Sequence, residues 1–118
     1  YFHTASWAFE NPATGLLPTR DIAQGLPYAD TTYCRYPGYE YRKPTRIWTN
    51  LPLELRPVCT AANPCEHRVG GKHPKTAQQS RRKGEAAGVN QCSQAQLFSI
   101  PPAMCDEVAE AAIRFVAL

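Results

Sequence analysis

The chain has 118 residues, 43% of them apolar, with a net charge of +3. That length allows one small domain with a modest core, and no run approaches the roughly 18 apolar residues that a membrane-spanning helix needs. Eleven prolines and seven glycines predict long irregular connections, and a first residue of Tyr1 in place of Met points to a processed chain or a piece of a longer one.

Residues 3–9, ending in Trp7-Ala8-Phe9, read as a strand. Glu10-Asn11-Pro12 should end it and expose the Glu10 side chain at the strand end. "TRDIAQGL" predicts a short helical turn stopped by Gly25 and Pro27. "DTTYCRY" and "TRIWTN", the latter bounded by Pro44 and Pro52, are rich in β-branched and aromatic residues and predict two more strands. Residues 51–91 show no periodicity. Ser99 is a candidate N-cap for a closing helix that starts at Pro101-Pro102 and carries Asp106 and Glu107 near its positive end. Met104, Val108, Ala111, Ala112, Phe115 and Val116 recur at helical spacing and predict its buried face. The chain therefore divides into a strand-rich part (1–50), an irregular insert (51–96) and a terminal helix (97–118).

Two features, centred on the insert but drawing on its flanks, bear on chemistry. Five cysteines, an odd number, argue against a closed disulfide framework and favour metal binding or scattered reduced thiols in an intracellular setting. Cys34, Cys59, Cys65 and His73 supply the thiolate and imidazole ligands that zinc takes, with His67 as an alternative to His73. The other reading of the same residues is unligated, buried thiols. The second feature is a run of six basic residues with no acidic one, from Arg68 through Lys72, Lys75, Arg81 and Arg82 to Lys83. It suits phosphate or another polyanion, and equally a solvated loop.

The order of segments resembles the second half of a cytosine-5 DNA methyltransferase, especially the variants of viruses, phages and some algae and protists. "WAFENP" is similar to the Glu-Asn-Val motif of that family, and "YRKPTRIWTN" to its Gln-x-Arg-x-Arg segment. The Cys/His/basic insert stands in the place of the variable target-recognition region, and "LFSIPPAMCDEVAEAA" resembles the closing segment whose helix packs back on the cofactor domain. The resemblance implies an α+β fold, an incomplete piece of a doubly wound sheet. It also implies a reaction in which a cysteine thiolate adds to a flipped cytosine while a glutamate assists at N3. Glu10 matches that glutamate; a carboxylate capping the following turn is the alternative reading. Arg46 matches the last arginine of the second motif and would brace the nucleophile loop or the flipped nucleotide, while Arg42 and Lys43 would meet phosphate.

Pro12 replaces the family's valine, and Pro44 its middle arginine. No Gly-x-Gly loop for S-adenosylmethionine occurs, and the one Pro-Cys, Pro64-Cys65, follows Glu10 where the family's nucleophile motif precedes it. The chain alone is thus not expected to methylate. Three readings follow: a target-recognition and C-terminal part working with an N-terminal half on DNA, a non-catalytic subunit bound to other proteins of an assembly, or a small zinc-stabilised nucleic-acid-binding module.

Overall fold

A computed structural model describes residues 5–76 and 99–117. They form a small α+β unit: three strands, β1 (Ala8–Pro12), β2 (Tyr28–Thr32) and β3 (Pro44–Thr49), and one helix, α1 (Pro102–Ala117). The sheet order is β1-β3-β2, and both outer strands are antiparallel to β3. β1 and β2 therefore run in the same direction, with β3 reversed between them. Phe9 lies opposite Trp48 and Glu10 opposite Ile47, and Asp30 lies opposite Arg46.

β1 starts and ends later than the apolar run predicts. Glu10 is inside the strand, and Pro12 still faces Thr45. Proline is tolerated there because β1 is an edge strand, whose outer N–H groups have no ladder to serve. His3 and Thr4 lie outside the described residues. β2 ends at Thr32, short of the predicted Tyr36, because Tyr33–Arg35 tighten into a 3-10 turn. The turn predicted over "TRDIAQGL" forms as two such turns, Leu17–Thr19 and Asp21–Ala23.

The core is built mainly from tyrosine. Tyr33, Tyr36, Tyr41, Ile47 and Met104 are buried together, with Val108 packed against them. Tyr33 meets Tyr39 edge-on at 5.6 Å, the arrangement that ring quadrupoles favour. Burial, then the nearby Glu10 carboxylate, push the Tyr33 hydroxyl above its ordinary pKa.

Met104 and Ala111 of α1 are buried and Val108 half-buried, as the helical spacing predicts. The side chain of Val116 lies outside the described ones. The helix begins at Pro102, so Ser99 is not its cap; the Ser99 hydroxyl is instead 2.9 Å from that of Tyr39. Asp106 and Glu107 fall one turn beyond the first, where the helix dipole has little hold. Glu107 instead accepts a 2.5 Å hydrogen bond from Tyr36 and pairs with Arg56, tying the helix to the chain that leads into the insert. No described helix is long and apolar enough to cross a membrane.

Candidate metal centre

Three residues per turn send successive side chains of a 3-10 segment about 120° apart. In Tyr33–Arg35 this puts Tyr33 into the tyrosine core, Cys34 into a second buried cluster with Cys59 and Cys65, and Arg35 around the outside of that cluster. His73 completes it. The donor atoms of Cys34, Cys59, Cys65 and His73 all lie within 4.8 Å of one another. His73 Nε2 stands 3.3 Å from the Cys65 sulfur and 3.6 Å from that of Cys59. Zinc bonds of about 2.3 Å to sulfur and about 2.0 Å to nitrogen give tetrahedral S···N edges of roughly 3.5 Å, so the spacing fits that ion. Four protein donors, three of them buried thiols, make a closed set of the structural kind and could bind a metal ion.

His67, the alternative ligand, turns away; its Nδ1 is 2.8 Å from the backbone carbonyl of Cys34. The hydrogen bonds around the sulfurs are organised by Thr32, whose hydroxyl accepts from the Cys34 thiol at 3.3 Å and from the Cys59 N–H at 3.0 Å. The Cys65 N–H donates to the Cys59 sulfur at 3.3 Å. Burial pushes the Cys34 thiol up to about 12. Burial also opposes ionisation of Cys59, but the Cys65 N–H, the neighbouring thiols and the Arg35 charge outweigh it and bring that thiol below its ordinary value.

Arg35 holds the Cys59–Cys65 loop from outside. Its Nε donates to the carbonyl of Pro57 at 2.8 Å, and its terminal nitrogens donate to those of Val58 (3.4 Å), Pro64 (3.1 Å) and Asn63. Arg42 donates from Nε to the Cys59 carbonyl at 3.2 Å. Neither role was visible in the sequence, because backbone carbonyls carry no residue signature.

His73 is delivered by a hairpin. Val69 and Lys72 pair through two backbone hydrogen bonds of 2.8 and 3.1 Å, and Gly70 and Gly71 between them have φ of 58° and 78°. Two central residues at positive φ make the type I′ turn, for which Gly-Gly is a sequence signal. Arg68 and His73 flank this isolated bridge on either side of the turn. Gly70→Ala is expected to cost roughly 1–2 kcal/mol from left-handed strain and to weaken metal binding in parallel, measured by chemical denaturation with and without zinc.

The remaining predicted site residues are dispersed. Glu10 lines an apolar cleft of about 290 Å³ between the sheet and α1, beside Ile47, Met104 and Val108. Thr45 donates a short hydrogen bond to its Oε1. Glu10 is therefore held within a strand and does not cap a turn. Arg46 projects from the opposite face of the sheet, since Glu10 pairs with Ile47 and Arg46 with Asn11. There it donates to both Asp30 oxygens, at 2.7 and 3.0 Å, and lies 3.7 Å over the Tyr28 ring. The Lys43 ammonium sits 4.9 Å over Tyr33. Lys72 is exposed on the hairpin and Lys75 half-buried. Arg81, Arg82 and Lys83 lie outside the described residues.

No protein-family model matches the chain, and no solved structure does. A probable DNA (cytosine-5)-methyltransferase of Frog virus 3 (isolate Goorha) is 29% identical over 65 residues, which are 55% of this chain and 29% of that protein. The chain thus corresponds to less than a third of the length of that relative. That distant similarity supports a methyltransferase-like relationship for the chain.

Proposed function

We propose that the chain is a target-recognition and C-terminal part of a cytosine-5 DNA methyltransferase-like protein, folded around a structural zinc ion and inactive by itself. The 65-residue similarity to the viral protein carries this reading. The described sheet is antiparallel throughout, with β3 between β1 and β2, so the parallel pairing expected of a doubly wound sheet is absent from the described residues and the reading rests on the similarity alone. Cys34, Cys59, Cys65 and His73 would hold the zinc, which supplies cross-links between segments that bury little apolar surface of their own.

S-adenosylmethionine does not fit this chain. No Gly-x-Gly loop is present in the sequence, and apart from Glu10 the cleft is walled by the aromatic Phe9 and by aliphatic and sulfur-bearing side chains, with no further charged group among the described residues to meet the cofactor's carboxylate or ammonium. Methyl transfer accordingly needs a cofactor-binding half from elsewhere. What this chain contributes is the Glu10 carboxyl, aimed into an apolar cleft and oriented by Thr45, where it can hold or donate a proton to a bound base. Arg46, on the other face, is held by Asp30 and Tyr28, from where it would brace the nucleophile loop or the flipped nucleotide.

The test is methyl transfer to DNA by a protein completed with an N-terminal half. Glu10→Gln keeps the shape of the side chain and removes its acid, so methylation should fall by about 10²- to 10⁴-fold with stability unchanged. Arg46→Ala should reduce it less. Normal methylation by both variants would show that the assignment of Glu10 and Arg46 is wrong.

A further inference from the structure

We propose that the pocket beside the metal centre binds one phosphate of a nucleic-acid backbone, gripped by Arg42 and Arg68. The choice of nucleic acid as partner rests on the methyltransferase reading above; the pocket itself rests on geometry. It is a cavity of about 410 Å³ lined by Arg42, Arg68, Thr60 and Gly71, with the ligands Cys59 and His73 in its wall. No carboxylate lines it. The ion pairs among the described residues are Arg46 with Asp30 and Arg56 with Glu107, so no described acidic side chain pairs with Arg42 or Arg68.

Each guanidinium is placed by the metal loop. Arg42 is anchored through Nε on the Cys59 carbonyl, which leaves its terminal nitrogens for a ligand. Arg68 and His73 flank the Gly70-Gly71 turn, and the Arg68 guanidinium reaches back over it, its Nη2 3.9 Å from where a Cβ on Gly71 would stand. Two planar forks converging on one cavity suit a tetrahedral oxyanion, which accepts paired N–H bonds. Lys72 on the adjoining hairpin adds to the positive field.

A competing account is that the arginines only offset the metal centre. Three thiolates on a divalent ion leave a single negative charge, and Arg35, wrapped on the same loop, already balances it. Arg42 and Arg68 exceed that need, and both line the open cavity in whose wall Cys59 and His73 lie.

Arg68→Gln is the variant to test, because Arg42 also supports the loop. With the zinc-loaded 118-residue chain, binding of a fluorescein-labelled DNA duplex is followed by anisotropy between about 50 and 200 mM salt. Arg68→Gln should weaken binding on the order of tenfold regardless of DNA sequence and lower the salt slope by about 1, with zinc content unchanged. Equal affinity and slope in the variant would overturn the pocket while leaving the methyltransferase reading in place, since the latter is tested by methyl transfer and Glu10→Gln. In a second arm, inorganic phosphate is titrated while the arginine Nε–H signals are followed by NMR. If the duplex does not bind but phosphate shifts the Arg68 signal, the nucleic-acid source is overturned and a small phosphate is the ligand. Neither binding nor shift would overturn the site altogether.

Discussion

Chelation of zinc from the purified chain is expected to unfold the loop from Cys59 to His73 and lower the thermal midpoint by roughly 15 °C or more. The described insert contains no helix and no extended ladder, only isolated bridges such as that of Val69 with Lys72, so its order depends on what cross-links it. At free zinc about 1,000-fold above Kd, binding adds about 4.1 kcal/mol to stability. For a domain of this size each kcal/mol shifts the midpoint by about 4 °C or more. Cys59→Ser should bring the same loss together with loss of stoichiometric metal, whereas Cys105→Ser, at an exposed helix position, should change neither. Metal content by native mass spectrometry and melting with and without chelator decide the matter. A metal-free chain melting at the same temperature as the loaded one would refute the centre. The pH dependence has a definite sign: the metal-bound form carries fewer thiol protons, among them the one that burial holds on Cys34, so zinc affinity should rise with pH.

Arg35→Leu is expected to destabilise the chain by about 3 kcal/mol or more and to cut zinc affinity by about 10- to 100-fold, although Arg35 is not a ligand. One guanidinium answers four carbonyls, of Pro57, Val58, Asn63 and Pro64. Hydrogen bonds to charged groups are worth about 1.5–3 kcal/mol each, with incomplete additivity because all four share one donor group. The carbonyls bracket Cys59 and precede Cys65, so releasing them loosens two of the three thiols at once, and outer partners of metal ligands typically carry an effect of that size on affinity. Arg35→Lys restores the charge but not the fork, and should recover only a minor share. Denaturation midpoints and competition against a chelating dye give the two quantities separately. Wild-type affinity in Arg35→Leu would mean that the loop holds its shape without the clamp.

The metal centre was legible in the sequence because cysteine and histidine are scarce and chemically specific: Cys34, Cys59, Cys65 and His73 could be grouped without knowing the path between them. The sequence already favours His73 over His67, but how it reaches the sulfurs needed the Gly70-Gly71 turn, which as a dipeptide signals a tight hairpin and reads just as easily as mobile backbone. β3 and α1 followed from bounded apolar patterns. β1 slid toward Pro12 because an edge strand escapes the penalty that proline incurs elsewhere, and edge position is a property of the whole sheet. β2 stopped at Thr32 because the 3-10 turn lets Tyr33, Cys34 and Arg35 each meet a different partner, a tertiary demand that overrides strand propensity. The opposed faces of Glu10 and Arg46 likewise depend on register, which neither motif contains.

The four ligands also impose a topology. Cys34 precedes β3 and the other three follow it, so a metal joining them closes a ring around the central strand of the sheet. A load applied at the two ends of the chain would strip β1 and α1 but could not lengthen the segment from Cys34 to His73, roughly 130 Å of chain when extended, until the ring opened. With a metal bound, the strand at the centre of the sheet would be the mechanically guarded part of the described residues, held by a cross-link made in an irregular stretch.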